Sequence, residues 1–179
     1  MANPPQVETI ETKLPGLVST LPVYHEAPLA DILHGLAKVR TGGLTPDAIP
    51  SSTDLAAFLR DAAARRIPFK ATAGLHHPIR SVRALTYAVD SPRAPMHGFL
   101  NLFIAASMAW HSIAPARIPE LLDETDAASL EFHDDALLWR GIRISTEHIE
   151  TARRDFAHSF GSCSFEEPVS ELREAGLLP

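Results

Sequence analysis

The sequence predicts an α/β domain built around a parallel β-α-β unit, and two observations lead to this. The stretches "KVRTGG" (38–43) and "KATAG" (70–74) each place a lysine shortly before a glycine, at the end of a segment of strand-forming residues. Between them, "TDLAAFLRDAAARR" (53–66) has apolar residues at i, i+3, i+4, i+7 and i+8, which is the stripe of a helix packed on a sheet. A strand, a helix and a second strand of these lengths form a right-handed crossover with parallel strands.

The composition indicates one globular domain over residues 1–179. Hydrophobic residues make up 45% and charged residues 21% of the chain, which is ordinary for a globular protein. The net charge of −6 argues against nucleic-acid binding, which requires a clustered excess of lysine and arginine. We therefore expect neither nucleic acid nor membrane as a partner.

The location follows from three further features. The N-terminus lacks the basic and apolar segments of a secretory signal, and the longest apolar run (99–110) is too short to span a bilayer. The single cysteine, Cys163, rules out an intramolecular disulfide and fits a reducing compartment. We expect a cytoplasmic protein.

The remaining elements flank the β-α-β core of residues 36–75. Residues 1–35 predict two strands (7–14 and 21–26) and a short helix from Pro28. Residues 76–96 contain three prolines without a sustained period, and we expect a long loop there. Residues 97–179 predict, in order, a buried helix (97–111), a short helix (118–124), two strands around "HDDA" (133–136), a helix (147–160), a short strand (162–165) and a last helix (166–178).

The two core lysines are the first candidates for chemistry. The chain has only three lysines, Lys13, Lys38 and Lys70, so a lysine on a buried strand is notable. Side chains alternate along a strand, and helix 53–66 covers the face of Ala37 and Val39, so both lysines point to the opposite face. There, mutual repulsion and burial would lower the pKa of one amine, and such an amine can form a Schiff base with a carbonyl. The alternative is structural: both lysines extend to the ends of the sheet or form ion pairs with Glu26 and a neighbouring acid.

The same stretches resemble a known family. "KVRTGG" and "FKATAGL" resemble the sixth and seventh strands of class I aldolases of the deoxyribose-phosphate aldolase type. This resemblance implies Lys38 as the Schiff-base former and Lys70 as the amine that tunes it. "PFKATAGLHHP", "MHGFLNLF" and "GSCSFEEP" further resemble an uncharacterised bacterial family with more barrel upstream, which implies a half TIM-like barrel with extra C-terminal helices and a β-hairpin.

Other candidates lie near the carboxyl ends of the two strands, where parallel barrels carry their sites. We expect Glu26 or His76 to move protons and Arg40 to orient a carboxylate or phosphate. Together with the lysine pair, these residues predict a lyase of aldolase type. It would act on a small carbonyl or carboxylate substrate without a cofactor. The remaining candidates for substrate binding are Gly42, Gly43, Thr72, Gly74, His77 and His97.

Two other functions stay open. A metal-dependent hydrolase or lyase would hold a divalent ion through His76 and His97, with His77, His25, Glu26, Cys163 and Glu166 as further donors. A non-catalytic subunit or barrel fragment would instead bind a partner chain. Because a half-barrel leaves strand edges unpaired, we expect a homodimer or an association with another barrel-containing chain.

Overall fold

The computed structural model describes residues 9–14, 17, 19–32, 35–162, 164 and 166–178. Its strands are β1 (Ile10–Thr12), β2 (Val23–His25), β3 (Leu36–Arg40), β4 (Phe69–Thr72), β5 (Ser81–Ala84), β6 (Arg93–Met96), β7 (Leu130–Phe132), β8 (Ala136–Trp139), β9 (Ile142–Ser145) and β10 (Ala157–Phe160). Its α-helices are α1 (Ser52–Ala64), α2 (Phe99–Trp110), α3 (Ile118–Leu122), α4 (Thr146–Asp155) and α5 (Glu166–Glu174).

The main sheet has five parallel strands in the order β1-β2-β3-β4-β10. β3, α1 and β4 form the expected β-α-β unit, and Lys38 lies directly opposite Lys70 in the register of the two strands. This confirms the α/β class and the alignment of the two lysine stretches. The structure shows a sheet of five parallel strands, and that alone does not establish a half barrel. The half barrel therefore stays a prediction.

Helix α1 begins and packs as its sequence predicts. The Ser51 side chain caps it by accepting a hydrogen bond from the backbone N–H of Asp54, at 3.1 Å. Leu55 and Leu59 on its inner stripe are fully buried, and they belong to one hydrophobic core with Phe69 of β4. The helices therefore cover one face of the sheet and leave the lysine face to polar side chains.

The segment after β9 differs from the prediction. A helix was expected over residues 147–160, but α4 ends at Asp155 and residues 157–160 form β10, the fifth parallel strand. Phe156 makes the change of direction, since its fully buried ring stacks on Trp110, and its carbonyl oxygen accepts a hydrogen bond from the Phe69 N–H at 2.7 Å. Pairing with a strand nearly ninety residues earlier overrides the local helical pattern.

Other local predictions need similar corrections. The expected loop 76–96 contains the β5–β6 hairpin, and the region around "HDDA" holds three antiparallel strands, β7 to β9, instead of two. In place of the short helix from Pro28 the described residues show a 3₁₀ turn, Leu29–Asp31. In the expected strand 162–165, Cys163 and Phe165 lie outside the described residues, and Ser162 and Ser164 are not in a strand. None of the helices in the described part of the chain is long and apolar enough to cross a membrane.

Candidate functional site

The polar face of the sheet gathers all three lysines of the chain. Glu11 of β1 contacts two of them, with 2.8 Å from its Oε2 to Lys38 Nζ and 2.5 Å from its Oε1 to Lys70 Nζ. Glu26, directly after β2, also contacts Lys38 Nζ, at 3.0 Å. The third lysine, Lys13, reaches Glu26 at 3.4 Å. We call these five residues, together with Arg40, the lysine network.

The lysine network carries an excess of positive charge. Arg40 joins it through Nε, 3.5 Å from Glu26 Oε1. Four cationic side chains thus meet two carboxylates, and the difference is two positive charges on one face of a chain whose net charge is −6. Local positive potential of this kind attracts anionic molecules.

Side chains on the lysine face contact one another across strands that lie between them in the sheet. Glu11 on β1 reaches Lys70 on β4 over both β2 and β3. Tyr24 on β2 reaches β10, where its hydroxyl lies 3.0 Å from Nδ1 of His158. The Lys38 side chain beneath these contacts is only 13% exposed. The network therefore forms a half-buried floor on this side of the sheet.

The pKa of Lys38 does not shift in the expected direction. Burial lowers the pKa of this amine, but the hydrogen bonds and charges of Glu11 and Glu26 together raise it above its ordinary value. The prediction of a lowered pKa is therefore wrong for the amine to which the aldolase resemblance assigns the Schiff base. The sequence offered ion pairs of the lysines with Glu26 and a neighbouring acid as an alternative, but it could not show that this acid is Glu11 of β1, which contacts both amines.

The two carboxylates of the network stay ionised. Hydrogen bonds from Lys38 and Lys70 lower the pKa of Glu11. For Glu26, burial raises the pKa, but Lys38, Arg40 and Lys13 outweigh that effect and the net shift is downward. Glu26 is thus an ion-pair partner of the cations, and a role in moving protons stays a prediction.

A cavity of about 580 Å³ adjoins the network at the carboxyl end of the sheet. Five of the predicted site residues line it: Arg40, Gly43, Thr72, Gly74 and His76. The hairpin connection and strand β6 supply further walls, among them Tyr87 and Met96, and Ser162 follows β10. Lys38 and Lys70 do not line the cavity. Each lies two residues before a residue that does, Arg40 on β3 and Thr72 on β4, and is therefore further from the carboxyl end of the sheet.

Gly42 does not line this cavity, although it was predicted to bind substrate. It lies against Gly74, where a Cβ atom added to Gly42 would be 2.9 Å from the Gly74 Cα. Next to it, the Thr41 hydroxyl donates a hydrogen bond of 2.5 Å to the Ala73 carbonyl oxygen. Ala73 and Gly74 both have positive φ angles, of 62° and 76°. These glycines join the ends of β3 and β4, and the strained turn at Ala73 directs the chain toward His76.

His76 is the residue of the cavity wall that is suited to proton transfer. Burial lowers the pKa of its imidazole, Glu167 raises it and His77 lowers it, with a net downward shift. Its Nδ1 lies 3.0 Å from Ser162 Oγ and 3.8 Å from Glu167 Oε2. A half-buried, neutral imidazole held by a hydroxyl is a competent general base. Ser162 itself was missed, since only a run of small residues marks it in the sequence.

The other two predicted histidines lie elsewhere. His77 is buried, contacts Glu171 and borders a second cavity of about 290 Å³. His97 is fully buried; its Nε2 donates to the Pro50 carbonyl oxygen at 2.8 Å, and its Nδ1 accepts from Arg80 at 3.0 Å. Both ring nitrogens of His97 thus hold neighbouring segments of the chain together, and a role of His97 in binding substrate or metal stays a prediction.

Comparisons of the chain with protein-family models, with curated proteins and with solved structures gave no match. The geometry of the cavity and of the lysine network is therefore the basis for a functional assignment.

Proposed function

We propose that the chain binds a small carboxylate-bearing molecule in the cavity at the carboxyl end of the sheet and exchanges a proton with it through His76. The observation that carries the proposal is the excess of two positive charges in the lysine network beside a cavity of about 580 Å³. Carboxyl ends of parallel strands are where α/β proteins bind ligands, and this edge would also be the catalytic end of the predicted half barrel.

Arg40 is the anchor for the carboxylate. Its side chain is 48% exposed and lies both in the network and in the cavity wall. Within the described residues, its ion-pair contact runs through Nε to Glu26, so its terminal Nη groups are available for a bidentate pair. Glu26 is shared between Arg40, Lys38 and Lys13, and Glu11 is shared between Lys38 and Lys70, so the network keeps an excess of two positive charges around Arg40.

His76 is the group that moves the proton. Its lowered pKa leaves the imidazole neutral near pH 7, and the Ser162 hydroxyl orients the ring. A carboxylate held on Arg40 brings the adjacent carbon of a 2-oxo acid into the cavity that His76 lines. The carbonyl carbon next to the carboxylate has no hydrogen, so the acidic proton is the one on C3, the next carbon. His76 would take this proton, and the electron pair would pass to the carbonyl oxygen as an enolate.

Binding is tested by isothermal titration calorimetry. The protein is titrated with a panel of 2-oxo, 2-hydroxy and unsubstituted carboxylic acids. We expect at least one acid to bind and Arg40→Gln to weaken it at least about tenfold. Arg60→Gln is the matched control, because Arg60 is exposed on α1, away from this cavity. Equal affinities for the two variants, or no binding across the panel, would contradict the proposal.

The proton step is tested in heavy water. NMR measures the rate at which the carbon-bound hydrogens of the acid exchange for deuterium. We expect the protein to accelerate the exchange and His76→Gln to slow it about a hundredfold while the affinity for the acid is retained. The rate should fall as the pH is lowered, because a protonated imidazole is no base. Unchanged exchange in His76→Gln would remove His76 from this role.

A further inference from the structure

Beside the second cavity, three metal-ligating side chains converge. His77 follows β4, and Glu167 and Glu171 are four residues apart on α5, so their carboxylates lie on one side of that helix. One ligand atom from each of the three residues lies within 4.8 Å of the others. We propose that His77, Glu167 and Glu171 bind a first-row divalent transition-metal ion, a site separate from the carboxylate anchor at Arg40.

The distances between His77 and Glu171 are close to those of two ligands of one ion, and the ligand atom of Glu167 lies within 4.8 Å of both. Nδ1 of His77 lies 2.8 Å and 2.9 Å from the two carboxylate oxygens of Glu171. Ligands at about 2.0 to 2.2 Å from a tetrahedral zinc ion are about 3.3 Å apart, so a shift of a few tenths of an ångström admits the ion between these atoms. His77 is only 5% exposed, and its ring presents Nδ1 to both carboxylate oxygens of Glu171.

The donor set selects the class of metal. One imidazole with two carboxylates favours Zn²⁺, Mn²⁺ or Fe²⁺ over Mg²⁺ and Ca²⁺, which prefer oxygen ligands alone. His77 and Glu167 both line the cavity of about 290 Å³, so a bound ion keeps a side open for water or a ligand. His76, which borders both cavities, lies 3.8 Å from Glu167 and connects the two sites.

Arg83 supplies a sharp test, because it competes for the same carboxylate. Its Nη2 lies 3.3 Å from Glu171 Oε1, and its side chain is 44% exposed. A guanidinium there neutralises Glu171 and opposes a cation. Loss of the Arg83 charge should therefore strengthen metal binding. If His77 and Glu171 are only a structural pair that fastens α5, this substitution leaves metal affinity unchanged.

The experiment titrates chelator-treated full-length protein with Zn²⁺ and with Mn²⁺ in a calorimeter. We expect one ion per chain in the wild type, at least about tenfold weaker binding in Glu167→Gln, and tighter binding in Arg83→Gln. Arg93→Gln is the control and should bind like the wild type, since Arg93 lines the same cavity but donates to the Val82 carbonyl oxygen.

Glu167→Gln is chosen because it leaves the buried pair of His77 and Glu171 intact, so the variant should fold. A wild type that binds neither ion would overturn the proposal. So would zinc binding that neither Glu167→Gln nor Arg83→Gln changes, because the ion would then lie at other histidines. The assay reports metal affinity alone, so its outcome is independent of carboxylate binding at Arg40.

Discussion

Two charged regions of the molecule use carboxylates in opposite ways. Glu124, after α3, is 6% exposed; its Oε2 accepts hydrogen bonds from Trp139 Nε1 at 3.0 Å and Arg140 Nε at 2.8 Å. Its Oε1 accepts from the backbone N–H groups of Thr125 and Asp126. In the lysine network, by contrast, two carboxylates are shared among four partly exposed cations.

The difference separates a stabilising charge from one that is available for binding. The Glu124 carboxylate is saturated with donors and closed from solvent, so it holds the β7–β9 sheet to the end of α3 and has no capacity for a ligand. The lysine network has more cations than carboxylates and adjoins a cavity. We expect substitutions at Glu124 to affect folding and substitutions in the network to affect binding.

The largest effect is expected for Glu124→Ala. The substitution leaves the buried Trp139 N–H without an acceptor, while the half-exposed Arg140 guanidinium can turn to solvent, and we expect a loss of about 1 to 3 kcal/mol in the free energy of unfolding. Urea denaturation measures it. Glu120→Ala is the matched control, because Glu120 is an exposed acid on α3 paired with Arg117, and no measurable loss is expected. A small effect of Glu124→Ala would show that the closed site is not stabilising.

Lowering the pH should also show that the Glu124 carboxylate stabilises the fold. Burial raises the pKa of Glu124, but hydrogen bonds from Arg140, the Asp126 N–H and Trp139 have the larger, opposite effect. The pKa is therefore lowered from the ordinary 4.5 to about 2. A lowered folded-state pKa stabilises the protein above the unfolded-state value, and the stabilisation is lost as the pH falls toward 2.

We therefore expect the stability advantage of the wild type over Glu124→Gln to shrink by about 2 kcal/mol between about pH 5 and pH 2.5. Urea denaturation of both proteins across this range measures the difference. A difference that does not change with pH would mean that Glu124 is not ionised by its partners.

Lys38 should resist Schiff-base formation at neutral pH. Its raised pKa keeps the amine protonated, so borohydride reduction with a panel of aldehydes and ketones should leave no adduct on it. In the Glu11→Gln/Glu26→Gln double variant the charges that raise the pKa of Lys38 are gone and burial still lowers it, so the pKa should fall and an adduct should form. Mass spectrometry of the peptides measures both. An adduct on Lys38 of the wild type would restore the aldolase-like route.

The smallest effect is expected on the stability of Arg40→Gln. The side chain is half exposed and its contact with Glu26 is long, so the free energy of unfolding should stay within about 0.5 kcal/mol of the wild type. Thermal and urea denaturation check this, and the same variant should lose carboxylate binding. A large loss of stability would place Arg40 with Glu124 among the structural charges.

Local patterns were sufficient to predict part of the fold and of the candidate site. The stripe of α1 and the alternation along β3 and β4 were enough to place Lys38 opposite Lys70 and to bring Arg40, Thr72 and His76 to one cavity. His97 could not be distinguished from them, because only packing shows that both its nitrogens are occupied. Ser162 has no local signal beyond small neighbours.

The sequence by itself determined which residues of the core strands face away from the helices, because side chains alternate along any strand and α1 has one apolar stripe. It also determined that all positive charge from lysine lies at three positions. Only the tertiary structure decided what those charges meet. Glu11 reaches Lys70 across two strands, and residues 157–160 become β10 by pairing with β4. Both depend on contacts between residues far apart in the chain, which local propensity and periodicity do not encode.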